Sequence, residues 1–327
     1  MMLAALYRQL KAMQASGVLG MNRRNIRYIS RYNDRNLFPL VDNKLNTKQL
    51  ALEYSVAIPA LLGVVDNQHD VSLVEKILLG HDSFCIKPAK GSGGKGIVVI
   101  QRREGNVFFR SNGQTLSLVD LQRHISNILA GLFSLGGAVD VALIEALIEV
   151  DDKMAPFSHE GVPDLRLIVF RGVPVMAMMR LACTASQGKA NLHQGAVGVG
   201  IDIATGKAVH AVQSDKRVTH HPDTHLNLST LHIPCWRALL ELGCACADMT
   251  GLGYLGVDLV VDKTCGPALL ELNARPGLSI QIANGQGLVP RLTAVEQLVR
   301  PERMSIAERV DFACKHFSAV APVGCAG

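Results

Sequence analysis

The chain has 327 residues, enough for two or three structural units with a sizeable core. Aromatic residues make up only 5% of it, which argues against base-stacking platforms, and no DNA partner is expected. The net charge of +5 is concentrated near the amino terminus, where residues 1–40 hold seven basic side chains against one aspartate. This basic segment is interpreted either as a solvated helical face or as a surface for nucleic acid, an acidic peptide or anionic lipid. Arg23, Arg24, Arg27 and Arg31 recur at helical spacing, which predicts one positive face for an acidic substrate or partner subunit.

The cysteines predict a reducing compartment. None of the eight forms a CxxC pair, and several lie in apolar stretches, which is typical of reduced thiols rather than of a disulfide framework or a zinc site. The first residues lack a signal-peptide pattern, and no apolar run approaches the roughly 18 residues of a membrane span. We therefore expect a cytoplasmic protein without a membrane span.

Helical patterns alternate with paired strands along the chain. An apolar stripe from Leu3 to Met13 predicts a first helix, and Thr47 is the predicted N-cap of a second helix over residues 48–54. Further helices are predicted at 66–80, 117–132, 236–249 and from 305, and strands at 83–88, 97–100, 141–149, 165–170, 173–181, 197–203, 208–212, 258–262 and 268–273. Because the strands come as hairpins rather than singly between helices, the pattern predicts an α+β fold with mostly antiparallel sheets.

Two strands near the carboxyl end bring carboxylates together. A turn centred after Thr264 places Asp258 opposite Glu271 across the ladder. Asn273 then lies on the same face, two residues further on. Two carboxylates among apolar neighbours repel one another unless a cation lies between them, and so few hard oxygen ligands suit Mg²⁺, with Mn²⁺ as the alternative. The competing interpretation is a solvent-facing polar edge.

A glycine-rich loop between two strands is the second candidate site. Lys87 ends the strand before the loop, and the loop consists of Gly91, Ser92, Gly93, Gly94, Lys95 and Gly96. Glycines let backbone N–H groups approach anionic oxygens, and the lysines supply positive charge. A dinucleotide fingerprint would need a helix after the glycines, and a Walker A loop would need Ser or Thr after Lys95. A kinase glycine loop also fits, but no HRD-type loop or DFG follows it. We predict a hinged flap that closes over a triphosphate.

These motifs, in this order, resemble the ATP-grasp superfamily, and within it the RimK-like α-L-glutamate ligases and their sugar-transfer-associated relatives. The resemblance covers about residues 40–288 and is carried by short ordered segments. They are Asp42-Asn43-Lys44-Leu45, the flap, Ile144-Glu145-Ala146-Leu147, Asp164-Leu165-Arg166, Arg180, Asn191-Leu192-His193-Gln194-Gly195, Gly256-Val257-Asp258, and Glu271-Leu272-Asn273 with Ala274-Arg275-Pro276-Gly277 behind it.

The resemblance implies an ATP-grasp fold, in which two α+β subdomains with mostly antiparallel sheets clasp ATP after a short helical segment. The implied divisions are a basic segment at 1–40, an N-subdomain with the flap at 41–145, a C-subdomain with the metal site at 146–300 and a C-terminal helix at 301–327.

The resemblance also implies roles for individual residues. ATP would be held by Lys44, Lys87, the flap residues, Glu145, Leu147 and Asn191, and the metal by Asp258, Glu271 and Asn273. The implied catalytic residues are Arg166, Arg180, Arg275 and Gly277. Arg166 has an alternative interpretation, an ion pair with Asp164.

The implied reaction is a carboxylate–amine ligation. ATP phosphorylates a carboxylate to an acyl phosphate, and an amine then attacks to give an amide. The expected partners are glutamate or a similar amino acid or carboxylate, and an amine acceptor such as an acidic peptide. The resemblance leaves open whether the chain forms a homo-oligomer. Two alternatives stay open: a nucleotide-binding regulatory protein without turnover, and a ligase that partners sugar- or envelope-modifying enzymes.

Overall fold

The computed structural model describes residues 16–91 and 93–319, so the helix predicted from Leu3 to Met13 lies outside the described residues. The chain divides into two compact units. One, here called the flap unit, comprises the described residues within 42–49 and 58–149, and the other, here called the large unit, comprises residues 16–41, 50–57 and 150–319. The finer division into four segments stays a prediction.

Helices and antiparallel strands follow one another along the described chain. The helices are α1 (Met21–Arg23), α2 (Ser30–Tyr32), α3 (Pro39–Asp42), α4 (Lys44–Glu53), α5 (Val74–Ile77), α6 (Leu118–Leu129), α7 (Trp236–Thr250), α8 (Ile280–Asn284), α9 (Val289–Glu296) and α10 (Ile306–His316), with a π-helical turn (Arg24–Ile29) joining α1 to α2. The strands are β1 (Leu61–Val65), β2 (Phe84–Pro88), β3 (Val98–Ile100), β4 (Arg102–Glu104), β5 (Val107–Phe109), β6 (Thr115–Ser117), β7 (Ala142–Ala146), β8 (Asp164–Phe170), β9 (Val173–Leu181), β10 (Val197–Ile201), β11 (Ala208–Gln213), β12 (Lys216–Arg217), β13 (Tyr254–Asp262) and β14 (Gly266–Asn273).

An antiparallel four-stranded sheet in the order β1–β7–β2–β3 forms the centre of the flap unit. Helix α6 packs on this sheet through an apolar face that includes Leu121 and Ile125, both fully buried. Ser117 begins α6, as predicted, and forms a capping box with Asp120. The small sheet β4–β5–β6 adds Phe108 to the same core.

The start of α4 corrects the predicted capping residue. The helix begins at Lys44, one turn earlier than predicted, because the Asn43 side chain accepts a hydrogen bond from the Leu45 N–H at 3.0 Å. Thr47 lies inside the helix, and its hydroxyl donates to the Asn43 carbonyl at 3.2 Å. Asn43 satisfies a free N–H of the first turn, so the helix does not need Thr47 as its cap.

The large unit is built on an antiparallel seven-stranded sheet in the order β12–β11–β10–β9–β8–β13–β14. The predicted hairpin of β8 and β9 is confirmed. Helix α7 lies on one face, where Gly243 permits close approach: a Cβ there would lie 2.4 Å from Leu167. Helix α8 lies on the other face, where a Cβ on Gly200 would lie 2.5 Å from the Ala283 carbonyl oxygen. Arg166, Arg180 and Asp258 lie on this second face, in the same rows of the sheet as Gly198 and Gly200.

The N-terminal helical segment, defined as residues 21–32, is fixed to the large sheet. The Tyr28 ring packs against Phe170 and Tyr254, with ring centroids 5.5 and 6.0 Å apart. Just beyond the segment, Asn33 donates to the Tyr254 carbonyl and accepts from its N–H, both at 2.8 Å. The helical character predicted for part of residues 1–40 is therefore seen in the described portion.

None of the helices described between residues 16 and 319 is both long and apolar enough to cross a membrane.

Candidate active site

The β13–β14 hairpin places Asp258 opposite Glu271, which confirms the predicted register. The turn is tighter than predicted and is centred on Thr264, and a β-bulge next to Asp258 restores the register. Asn273 pairs with Gly256, so it lies on the same face as Glu271, two residues along. Local pairing therefore gathers the three predicted metal ligands on one face of the large sheet.

Two arginines bind the carboxylate of Asp258. Arg166 lies directly opposite on β8; its Nη2 donates to Oδ2 at 2.8 Å and its Nε donates to Oδ1. Arg180, on β9, has its Nη2 2.8 Å from the same Oδ2 and also pairs with Asp164. Arg166 thus pairs with Asp258 and not with Asp164, because residues facing each other across a ladder lie closer than residues two apart on one strand.

The four charged side chains form a buried, electrically neutral network that separates the pKa values of the two aspartates. Burial by itself raises a carboxyl pKa. At Asp258 the guanidiniums of Arg166 and Arg180 outweigh burial, and the pKa falls to about 2. At Asp164 burial and the charge of Asp258 prevail over the attraction of Arg180, and the pKa rises to about 6. Within the described residues, Asp164 Oδ1 is buried without a hydrogen-bond partner.

The predicted metal ligands fit a hard divalent cation in their chemistry. A carboxylate offers about four lone-pair positions. At Asp258 the arginine N–H groups take one position on Oδ1 and two on Oδ2, which leaves Oδ1 able to accept one more ligand. Among residues 16–91 and 93–319, no group of three or more His, Cys, Asp and Glu side chains could hold a metal ion. A site here therefore needs the amide oxygen of Asn273 beside the two carboxylates.

In the flap unit, Glu145 lies between two buried lysines. Its Oε2 is 2.8 Å from Lys87 Nζ, and its Oε1 is 3.2 Å from Lys48 Nζ. Lys48 also donates to the Pro59 carbonyl at 2.9 Å, and burial lowers its pKa. The carboxylate predicted to hold adenosine thus serves as the counter-ion of two cations. Lys48 was not predicted, although its spacing of four from Lys44 on a helix was a usable signal.

The amino end of the flap is anchored by polar contacts. Lys44 Nζ donates to the Gly91 carbonyl at 2.8 Å. The Lys90 N–H donates to Asp140 Oδ1 at 3.0 Å, and the Ser134 hydroxyl binds the same carboxylate. Asp140 is almost completely buried and was not predicted, because a lone aspartate before a strand carries no motif. Ser92 lies outside the described residues.

The carboxyl end of the flap is anchored by an imidazole and an aromatic ring. His124 Nε2 donates to the Gly96 carbonyl at 2.9 Å. Phe133 packs so closely that a Cβ on Gly96 would lie 2.5 Å from its ring. Gly93, Gly94 and Gly96 all have positive φ, which suits glycine at each position. The flap is thus a glycine turn between two anchored ends.

The remaining predicted residues lie at separate places. Leu147 is half-buried just after β7. Asn191 uses its side chain to cap a 3₁₀ turn. The Arg275 guanidinium lies over the Phe38 ring, 4.9 Å from its centroid, and Gly277 is exposed in the loop after β14.

The basic side chains of the N-terminal helical segment differ in their partners. Arg24 donates to the Pro276 carbonyl at 2.7 Å, and Arg27 lies 3.5 Å from a Glu296 oxygen. Arg23 stays exposed. The turn from Arg24 is π-helical, and the single positive face of Arg23, Arg24, Arg27 and Arg31 stays a prediction.

The antiparallel sheets, the glycine flap between β2 and β3 and the opposed carboxylates on β13 and β14 define an ATP-grasp protein. A family model described as sugar-transfer associated ATP-grasp matches residues 23–297, and the chain belongs to this family. The predicted ATP-grasp resemblance and α+β fold are confirmed, whereas the RimK-like subtype stays a prediction.

Solved structures with similar folds include three named synthetases and ligases. The ATP-grasp ligase PsnB in complex with its minimal precursor is 13% identical, with a TM-score of 0.45 over 81% of this chain and 63% of that chain. The D-cycloserine synthetase DcsG is 16% identical, with a TM-score of 0.46 over 80% and 71%. D-alanyl-alanine synthetase A from Vibrio cholerae is 10% identical, with a TM-score of 0.47 over 85% and 66%. The chain spans less than two thirds of the PsnB chains, 63% and 61% in two structures. A comparison with curated proteins finds no significant match.

Proposed function

We propose that this chain is an ATP-dependent carboxylate–amine ligase that requires Mg²⁺. The observation that carries the proposal is the pair Asp258 and Glu271, opposed across the β13–β14 ladder in a chain of the ATP-grasp family. Such a pair of hard oxygen donors suits Mg²⁺, which would neutralise charge on the phosphates of ATP.

The first step transfers the γ-phosphoryl group of ATP to a substrate carboxylate. The bond between the γ-phosphorus and the bridging oxygen breaks, a bond to a carboxylate oxygen forms, and ADP leaves. Lys44 and Lys87 would neutralise the α- and β-phosphates, and the flap N–H groups would cover the triphosphate. Arg166 and Arg180 would stabilise charge on the transferred group, since their planar donors suit phosphoryl oxygens.

The second step joins the amine to the acyl phosphate. The amine nitrogen attacks the acyl carbon, the carbonyl oxygen takes on negative charge, and phosphate leaves while the nitrogen loses a proton. The Gly277 N–H would donate to this oxyanion, and no covalent intermediate on the chain is needed. Leu147 and the strand around Glu145 would contact adenosine.

The substrates proposed are an amino acid such as glutamate and a peptide or small amine acceptor. The family's description favours a second candidate for the biological setting, in which the amide is made on a molecule that a sugar-transferring enzyme also modifies. A regulatory nucleotide-binding protein would bind ATP without forming amide, so turnover separates it from both ligase candidates.

The test is ATP-dependent product formation by purified protein across a panel of amino acids, acidic peptides and amines. ADP release and product mass are measured together. Glu271→Gln should remove turnover, since it deletes a metal ligand without disturbing the ion pairs of Asp258. The matched control is Glu241→Gln, because Glu241 lies on α7 in an exposed pair with Arg237. No amide from any pair, or full activity in Glu271→Gln, contradicts the proposal.

Asp258→Asn is the less informative variant. The substitution would remove the buried negative charge with which both Arg166 and Arg180 form ion pairs. Loss of one partner of a buried ion pair typically lowers the free energy of unfolding by about 3–5 kcal/mol.

A further inference from the structure

Arg24 ties the N-terminal helical segment to the loop that follows β14, although the residues it joins are far apart in the chain. Its Nη1 donates to the Pro276 carbonyl at 2.7 Å. Its Nε and Nη2 both donate to Asn25 Oδ1, at 3.0 and 2.8 Å, which fixes the plane of the guanidinium. Asn33 holds the same loop at a second point, since its Nδ2 donates to the Ala274 carbonyl at 3.1 Å.

The carbonyl that Arg24 binds shares a peptide group with the Gly277 N–H. A trans peptide group is planar, and its C=O and N–H point in opposite directions. A donor fixed on the Pro276 carbonyl therefore fixes the direction in which the Gly277 N–H points. A charged donor on the carbonyl also polarises the peptide group and strengthens its N–H as a donor.

The surroundings of this peptide group leave its N–H available. Gly277 is exposed, and a Cβ built on it would meet no atom within 4 Å. Within the part of the chain that the structure describes, its N–H donates to no acceptor. Pro276 itself is buried against β13, where a Cβ on Gly256 would lie 2.6 Å from the proline ring. One side of the loop is thus held firmly and the other side is open.

The helix departs from regular α-helical geometry at Arg24. The π-helical turn starts there, between the ordinary turns of α1 and α2. Single π-turns are uncommon and frequently occur at functional sites.

We propose that Arg24 is a positioning residue that aims the Gly277 N–H at the oxyanion formed when the amine attacks the acyl phosphate. This role depends on the proposed ligase function. In this role the N-terminal helical segment affects the reaction through the loop after β14 and not by contacting the amine acceptor.

The position of the peptide group can be measured without turnover. Pro276–Gly277 is the one Pro–Gly pair in the sequence, so ¹³C-carbonyl proline with ¹⁵N-glycine gives a single correlated NMR signal, from Gly277. In Arg24→Gln this signal should shift or broaden, and Arg24→Lys should restore it in part. Arg35→Gln removes an exposed charge from the same basic segment and should leave the signal as in the wild type. Asn25→Ala, which only frees the guanidinium plane, is the milder variant should Arg24→Gln fail to fold.

The consequence for the reaction is measured with hydroxylamine as the amine and the same panel of carboxylates. Loss of an oxyanion donor costs about a hundredfold to a thousandfold in kcat, and a misdirected one should cost about tenfold to a hundredfold. Hydroxamate formation by Arg24→Gln should fall by that factor, with the affinity for a non-hydrolysable ATP analogue unchanged. An unmoved Gly277 signal, or a moved signal with undiminished hydroxamate formation, overturns the role of Arg24. Absence of hydroxamate from the wild type overturns the ligase function itself, whatever the signal does.

Discussion

Glu145 holds two buried lysines, so substitutions within this trio should have unequal effects on stability. The side chains of Lys48, Glu145 and Lys87 are 6%, 4% and 6% exposed. Glu145→Gln leaves two buried cations without a counter-ion, and such a loss typically costs about 3–5 kcal/mol. Lys48→Met leaves a balanced pair of Glu145 and Lys87 with an apolar neighbour, so its cost should be much smaller.

The measurement is urea-induced unfolding followed by circular dichroism for both variants. Equal losses would contradict this prediction, because they would show that Lys87 alone does not satisfy Glu145 and that the Lys48 charge matters as much as the Glu145 charge. The trio also bears on function, because Glu145 orients the Lys87 ammonium that is proposed to meet the phosphates.

At the scale of elements, the flap should respond to nucleotide in its middle rather than at its ends. Both ends are anchored, by Lys44 and Asp140 before it and by His124 after it. Hydrogen exchange at residues 93–96 should therefore slow when a non-hydrolysable ATP analogue and Mg²⁺ are added, because bound phosphates would occupy the N–H groups.

The matched control for that experiment is the turn around Gly105, a glycine turn of positive φ between β4 and β5 in the same unit. Its exchange should not change with the analogue. If both turns slow equally, the effect is a general stiffening of the unit, and if neither slows, the flap does not bind the triphosphate.

At the scale of the whole molecule, binding of ATP should raise the thermal stability only when Mg²⁺ is present. A ligand that binds the native state at a hundred times its Kd contributes about 2.7 kcal/mol. Thermal unfolding with the ATP analogue in Mg²⁺ and in EDTA measures the difference, and Glu271→Gln should lose the part that depends on Mg²⁺. An equal rise of Tm in EDTA would argue against a metal held by the β13–β14 hairpin.

The sequence by itself determined the elements whose interactions are local. The β13–β14 pairing follows from alternating apolar residues around a short turn, and it put Asp258 opposite Glu271 even though the turn itself is tighter than predicted. The flap between β2 and β3, the hairpin of β8 and β9 and the helix starting at Ser117 follow from turn and capping residues that act within a few positions. These elements were sufficient to predict the α+β fold and to show the resemblance to the ATP-grasp superfamily.

Only the tertiary structure decided which charged groups meet. Arg166 and Asp258 are 92 positions apart, and Arg24 and Pro276 are 252 positions apart. Their contacts depend on the order of strands in the sheet and on a π-helical turn, neither of which is encoded in residue periodicity. A buried charge takes whichever opposite charge the fold brings within hydrogen-bonding distance, because leaving it alone in a low-dielectric interior costs several kcal/mol. The partner of each buried charge is therefore decided only when strands and helices from distant parts of the chain assemble. The same holds for the link between the N-terminal helical segment and the Gly277 loop.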